Sequence, residues 1–560
     1  MKSIFFVAVF LMAGTYVSLC QTNAPTISSI KSYGGSGYDG GDGGSSMPGF
    51  HFSADGYLLS ASGSGSADHD LVTCNNSNPT KAWLVKIDKQ GNLIHSSCFG
   101  GSLQKDSVSE SDEYFTDMVA TPDSGCLAAC YTTSANILPN APFPYACANA
   151  GSNYKVMSLV KYDKSGNVQW FHCYGGGQDD GIMSLERTTD GGYIFLAQVR
   201  SFGGDVGMHY GNSPFVADAW LVKVDSIGDI QWKKVLGGTG YDYPHKVREV
   251  KQGIYLTSIT SNSTDYDLDS VAHYCAYDAW FCFFDSAGNR LNQFTVPWYG
   301  RTINAYDFIY NSDKSVILVG NVFGDSITNL QCNAYFHNDY TTCDYAIFKI
   351  DSNFQMKWCN IVGGPGFHML YSVNTINDGL LLACGRSDAS DSTWSCAVYN
   401  SQYQSSLICF DSNGATKWRR CISGSQGAYF GYSLFDTATQ SIYLCGAGMS
   451  TDGDLTGVPN YGYSDLWIAK FDDVTGIARI SDPSAISIYP NPSKTEINIA
   501  HPPYSDGIIT LSNITGGIIS TAKTNSNETE TINIDPLPLG VYILTYQDRN
   551  ICVSKKVVKE

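Results

Sequence analysis

Charge is scarce in this sequence, and basic charge scarcest. Charged side chains make up 15% of the 560 residues, and 34 basic residues face 52 acidic ones, for a formal net charge of −18. No basic stripe is present to neutralise a phosphate backbone, which argues against nucleic acid as a partner. Adsorption to anionic lipid is disfavoured on the same ground. Beyond the N-terminal segment no apolar run is long enough to cross a bilayer as a helix. The HExxH, GxSxG and P-loop motifs are missing. So is a zinc spacing: Cys126 and Cys130 have no second Cys or His pair to match them.

Turn formers and aromatics are abundant instead, with 56 Gly and 36 Tyr. Many Gly and Tyr with few charges suit a turn-rich all-β chain. The N-terminus reads as a signal peptide over residues 1–20. Lys2 is its positive end, Ile4 to Met12 its apolar core, and Cys20-Gln21 its close. Leu19 stands where a lipobox would place a small residue, so lipidation at Cys20 is not expected. Export makes disulfides plausible for the 18 cysteines, sixteen of which lie between Cys74 and Cys445. Cys332 and Cys343 flank one loop and are the expected pair; closing such a loop stabilises by roughly 2–3 kcal/mol.

One phrase returns seven times: an apolar strand, an Asp, a Gly turn and usually a Trp. Its clearest copy is Asp218-Ala219-Trp220-Leu221-Val222-Lys223-Val224-Asp225, then Gly228, Trp232 and Gly237-Gly238. Copies begin near Lys81, Val156, Asp218, Asp278, Asp344, Ser405 and Asp465, at steps of roughly 60 to 75 residues, a repeat period. Each copy reads as four strands, A to D, joined by a tight A–B turn, a long B–C loop and a tight C–D turn. Four strands per repeat predict the blades of a β-propeller over residues 27–480. Ile27 to Tyr33 followed by Gly34-Gly35 reads as a strand D without its A, B and C. It is expected to complete the last blade, giving seven. A competing reading makes Gly476 to Ile480 the last strand D. Residues 486–560 form a second unit of alternating strands, a small β-sandwich.

That second unit carries Tyr489-Pro490-Asn491-Pro492-Ser493, a Leu537-Pro538-Leu539-Gly540-Val541-Tyr542 run and a closing Lys555-Lys556-Val557-Val558-Lys559. It resembles the C-terminal sorting domain, type A, of the type IX secretion system of Bacteroidota. The resemblance implies the type IX machinery as a partner, contacted through Tyr489, Pro490, Asn491, Pro492, Gly540, Tyr542, Lys555 and Lys556. It also implies removal of the domain, with release or attachment at the outer-membrane surface. The middle region resembles propeller repeats of such secreted proteins, with loops like Thr451-Asp452-Gly453-Asp454-Leu455. The strand C to D segment is similar to quinoprotein propellers too, but Asp225 to Trp232 is one residue shorter, and no quinone is expected.

The recurring Trp170, Trp232, Trp358 and Trp418 are expected to pack blades together. The recurring Asp88, Asp163, Asp225, Asp285, Asp351 and Asp411 are expected to close turns by bonding their own backbone. Function is sought where repeats differ, in the B–C loops, which share one face with the D–A crossings. Their aromatics Tyr145, Tyr210, Tyr266, Tyr274, Tyr335, Phe336, Tyr340, Trp394 and Tyr461 are the candidate ligand contacts. Asp265, Asp267 and Asp269, with Asp452 and Asp454, offer a weak calcium pattern; no other cofactor is expected. The leading expectation is a monomeric, secreted or surface-held binding module, adhesin-like or glycan-binding, with extracellular proteins as other partners. The alternatives are a polysaccharide-active enzyme with a carboxylate pair built from B–C loops, and a non-catalytic matrix component.

Overall fold

The computed structural model describes residues 24–40, 49–72, 74, 80–100, 113–132, 155–211, 213, 215–324, 332–334, 342–363, 366–376, 379–388, 403–472, 486–501, 508–513, 518–524, 529–547 and 552–560. The chain divides into two compact units, the first ending at Asp472 and the second beginning at Asp473. The expected signal peptide, and the alternative last strand at Gly476 to Ile480, lie outside the described residues.

The first unit is a seven-bladed propeller. Seven antiparallel sheets follow one another, each in the order A-B-C-D. Blade 3 is representative, with strands Gly181–Arg187, Tyr193–Val199, Asp218–Val224 and Ile230–Leu236. Blade 7 takes its strand D from the N-terminus. Ile27–Tyr33 pairs antiparallel with Asp465–Phe471, Tyr33 opposite Leu466. The ring is therefore closed by the chain's own start, as its sequence suggested. The seven A strands touch their neighbours in an unbroken circle and so surround the axis.

The burial pattern follows from this stacking. Strands B and C of blade 3 are buried along nearly their whole length, because a blade lies against each of their faces. The apolar clusters accordingly sit between blades rather than at one centre. Leu159 of blade 2 packs with Phe195 and Trp220 of blade 3, and Phe281 of blade 4 with Phe308 and Phe348 of blade 5.

The Trp and Gly of the repeat meet across these junctions. The strand D Trp of one blade covers the C–D turn Gly of the next. A Cβ on Gly288 would lie 2.8 Å from the Trp232 ring, and one on Gly414 2.5 Å from that of Trp358. Trp232 Nε1 also donates to the Ser286 carbonyl at 2.8 Å. The junction of blades 4 and 5 departs from the rule on both partners. Phe354 replaces the turn glycine at φ 63°, and the facing strand D of blade 4 has Asn292 where blades 2, 3, 5 and 6 have Trp. Phe294 stacks on Phe354 at 4.5 Å instead. The turn aspartates behave as expected: Asp225 Oδ1 accepts from Ile227 N at 3.0 Å and Asp229 N at 2.9 Å.

The expected Cys332–Cys343 bridge is not formed. Cys343 is a buried free thiol at the start of strand C, bonded to the His368 carbonyl. Cys332–Ala334 instead pairs parallel to strand D, with Cys332 opposite Cys359, at the outer edge of the blade. Strand D thus lies between the strand C end that carries Cys343 and the segment that carries Cys332. A disulfide does link Cys74 in the B–C loop of blade 1 to Cys98 on its strand D. Cys173, Cys359 and Cys421, also on D strands, are disulfide-bonded as well.

The second unit holds a three-stranded sheet (Ser487–Tyr489, Glu496–Ala500, Thr529–Asn533) and a four-stranded sheet (Ile518–Lys523, Ile508–Asn513, Gly540–Gln547, Cys552–Lys559). Ile497, Ile499, Ile509, Leu511, Leu544 and Tyr546 form its core.

The interlock predicts a contrast between two turn glycines. Gly191 and Gly288 both have positive φ (88° and 78°), but a Cβ on Gly191 meets open space. Gly191→Ala should cost about 1–2 kcal/mol, the left-handed penalty alone. Gly288→Ala should cost about 1 kcal/mol more, because the Trp232 ring must move as well. Denaturant unfolding of the two variants measures the difference. A chain lacking the residues up to Tyr33 exposes the edge of Asp465–Phe471 and should lose cooperative unfolding and self-associate, read by calorimetry and light scattering.

Candidate functional site

The B–C loops and the Gly-Gly crossings form one interlocked face. In blade 4 the Gly237-Gly238 crossing lies under the loop that follows strand B. Gly238 N donates to Asp242 Oδ2 at 2.8 Å, and Ser261 and Ser263 donate to the same carboxylate. Asp265 Oδ1 accepts from Thr239 N at 2.8 Å, and Asp267 Oδ2 from Gly237 N at 3.2 Å. Asp267 also pairs with Arg290 at 2.8 Å. Blade 7 repeats this: Asp452 accepts from Ser425 N, and Asp454 from Ser423 N and Arg420. Alternating aspartates suggested a cation site in the sequence. The structure turns four of them toward backbone amides and arginines and leaves Asp269 exposed. Among the described residues no group of three or more His, Cys, Asp or Glu could hold a metal ion.

The loop aromatics meet at blade junctions, in more than one place. Tyr210 stacks on Tyr266 at 4.7 Å between blades 3 and 4. Tyr461 lies 4.8 Å from His69 between blades 7 and 1, beside the stacked Tyr38 and Tyr463 at 5.2 Å. Tyr274 meets Tyr299 edge-on at 5.3 Å. Tyr145, Tyr335, Phe336, Tyr340 and Trp394 lie outside the described residues. The described candidates thus fasten neighbouring loops to one another and do not converge on one cleft.

The loops are also held by the first residue of strand C. Asp218 accepts from Tyr210 N, and Asp465 from Tyr461 N at 2.8 Å. Both carboxyls are buried, and burial pushes each up to about 7. His209 Nδ1 lies 3.4 Å from Asp218, and burial lowers its pKa.

A different set of side chains converges on the axis. The A strands of blades 2 to 7 each carry a β-bulge at one level, for example between Pro244 and Lys246, Ala305 and Asp307, and Leu370 and Ser372. The extra residue is His245 in blade 4, Tyr306 in blade 5 and Tyr371 in blade 6. A bulge re-aims a side chain out of the sheet, and these three form one arc. His245 lies 5.0 Å from Tyr306, Tyr306 lies 5.5 Å from Tyr371, and Tyr243 extends the arc at 5.4 Å from His245. All three bulge residues keep solvent-accessible surface although they sit on the innermost strands. The arc therefore lines an axial mouth, in the half of the A strands nearest the B–C loops. Burial lowers His245 to about 3, so its ring is neutral; Nε2 lies 2.8 Å from Thr260 Oγ1. Burial likewise raises Tyr306 and Tyr371, whose hydroxyls stay protonated.

Farther along the same strands lies a charged layer. Lys246 pairs with Asp117 at 3.6 Å and Arg248 with Asp307 at 2.7 Å. Asp117 also accepts from Leu185 N and Asp307 from Val373 N, each a backbone amide of the next blade. Burial raises Glu186 against the pull of Arg248 and Lys246, and it lowers His51 to about 4. Burial alone would lower Arg248, but Asp307 and Glu186 outweigh it and hold the guanidinium charged.

In the second unit the two ends of the expected sorting motif touch. Asn491 Nδ2 donates to the Lys556 carbonyl at 2.6 Å, and Val558 N donates to Asn491 Oδ1 at 2.9 Å. Tyr542 Oη donates to the Pro538 carbonyl at 2.7 Å. Residues 487–560 match the secretion system C-terminal sorting domain. The sorting domain marks the chain for type IX export to the cell surface or the extracellular space. Among the described residues no helix is long and apolar enough to cross a membrane.

No curated protein sequence matches the chain. Among solved structures it is similar to a protein of unknown function from Bacteroides caccae (11% identity, TM-score 0.34, 65% of this chain and 93% of that one). It is similar also to the Pan2 WD40 domain of Neurospora crassa (9%, 0.38, 76% and 88%) and to Kuenenia stuttgartiensis hydrazine synthase (10%, 0.35, 76% and 100%). At these scores the propeller assignment rests on the chain's own sheets.

The raised aspartates predict a pH dependence. Their unfolded pKa is about 4, so the stability they contribute is full below about pH 4 and is lost as pH rises through about 7. Asp465→Asn removes one titration and keeps an acceptor for Tyr461 N. Its stability relative to wild type should therefore increase as pH is raised from about 5 to about 8, measured by urea unfolding across that range.

Proposed function

We propose that the propeller is a non-catalytic binding module displayed or released at the bacterial surface, and that it takes its ligand at the axial mouth. The observation that carries this reading is the arc of His245, Tyr306 and Tyr371, contributed by three consecutive blades and partly exposed to solvent. Rigid amphipathic rings with protonated hydroxyls offer apolar faces and hydrogen-bonding edges at low entropic cost, which suits a hydroxylated ligand such as a glycan. A role for the B–C-loop carboxylates in hydrolysis is not favoured, since those described accept hydrogen bonds from backbone amides.

The sorting domain has its own partner in the type IX machinery. Leu539, Val541, Ile543 and Ile508 are exposed on or beside its four-stranded sheet and suit an apolar contact there. A type A assignment is supported by the resemblance of Tyr489–Pro492 and Leu537–Tyr542.

The mouth is tested by binding the protein to a panel of glycans and extracellular matrix proteins. Tyr306→Ala and Tyr371→Ala should each weaken the ligand found by about tenfold, the scale of one lost aromatic contact. Tyr38→Ala, on the loop face at the junction of blades 7 and 1, should leave it unchanged. Unchanged affinity in both mouth variants, with unfolding temperatures like wild type, would move the site elsewhere.

A further inference from the structure

The aromatic arc ends on Arg386, a cation with no carboxylate partner among the described residues. Arg386, in strand B of blade 6, places its guanidinium carbon 4.7 Å from the Tyr403 ring centroid and 5.9 Å from that of Tyr371. Its Nη2 reaches only the Met369 thioether, at 3.8 Å, the same sulfur that accepts from the Tyr371 hydroxyl at 3.2 Å. Its Nε is buried without an acceptor. A thioether is a weak acceptor, and a guanidinium carries five donors. Arg248, Arg290 and Arg420, by contrast, each meet a carboxylate within 3 Å. Among the described residues no carboxylate pairs with Arg386, in a chain where acids outnumber bases.

The position is peculiar to this blade. Arg386 lies opposite Ser405, the second residue of strand C. The corresponding residues of other blades, opposite that same point of strand C, are uncharged: Gly63, Tyr131, Gln198, Thr260, Asn321 and Ala447. The scaffold therefore does not require an arginine here. Two tyrosine rings hold the guanidinium and limit its rotamers, and a planar cation held this way matches a two-oxygen anion.

We infer that the axial mouth binds an acidic carbohydrate, with the Arg386 guanidinium reading a carboxylate and Tyr306 and Tyr371 facing the sugar ring. This rests on the binding-module reading and names its ligand class. A glycan is favoured over an acidic peptide because, among the described residues, the arc offers a single cation without a carboxylate partner amid neutral hydrogen-bonding rings. A polyacidic peptide would need several cations, and Lys246 and Arg248 beneath are already paired.

Calorimetry on the full chain tests this with three probes: polygalacturonate, its methyl ester and poly-L-glutamate. Wild type should bind polygalacturonate at least about tenfold more tightly than the ester, the scale of a charge-assisted pair, and the preference should shrink at high salt. Arg386→Gln should abolish the preference, and Arg386→Lys should restore it only in part, because an ammonium cannot bond bidentately. Equal binding of acid and ester, or a preference that survives Arg386→Gln, overturns the acid-reading role. The mouth itself stands in that case if Tyr306→Ala still weakens both polymers, and falls if it weakens neither. Tighter binding of poly-L-glutamate than of polygalacturonate assigns the arginine to an acidic protein and overturns the glycan. No binding of any probe overturns it too.

Discussion

The propeller depends on one contact between neighbours: an aromatic ring on strand D laid over the tight turn of the next blade. Trp232 on Gly288 and Trp358 on Gly414 leave no room for a side chain at the turn. The glycine supplies both the left-handed φ and the missing Cβ, so the turn can lie flat beneath the ring. Blade 5 shows that the constraint is mutual. Where Phe354 occupies the turn, the opposing strand D has no Trp, and Phe294 fills the gap. Each junction then buries its own apolar cluster, and a cluster shared by two blades has no counterpart in either alone. The N-terminal strand matters for the same reason, since without it two blades would have a free side.

A second regularity, at the inner edge, makes room for function. The bulges in the A strands of blades 2 to 7 each add one residue and turn it to the axis. The residue after the bulge ties the blades together, as Asp117 does to Leu185 N, Ser184 to Val247 N and Asp307 to Val373 N. That next residue serves the scaffold. The bulged residue itself differs between blades, being Thr116, Met183, His245, Tyr306, Tyr371 and Gly431 in turn, so an aromatic arc can occupy blades 4 to 6.

Much of this was legible in the chain. The repeat phrase carried the four strands, the blade number, the closing strand and the packing role of its Trp and Asp, because each is a local pattern that recurs. The partners of the loop carboxylates are not legible there, since alternating aspartates look alike whether they face a cation or the amides of a Gly-Gly crossing. Only the approach of that crossing, from the preceding D strand, distinguishes the two. Cys332 and Cys343 are close along the chain, yet strand D runs between the segments that carry them. His245, Tyr306 and Tyr371 were overlooked because they sit in strands, not loops. The available signal was an aromatic or imidazole at the bulge of three successive A strands, invisible until the bulge is located.

By itself the sequence determined the architecture and the address. Periodicity of two, turn residues and the sorting tail act through near neighbours in the chain, and a repeated local rule adds up to a ring. Tertiary structure alone decided which side chains share the axis. His245, Tyr306, Tyr371 and Arg386 come from three blades, and their separations of 5.0, 5.5 and 5.9 Å along the arc arise from ring closure. No pairwise spacing along the chain encodes a distance set by the radius of a seven-membered ring.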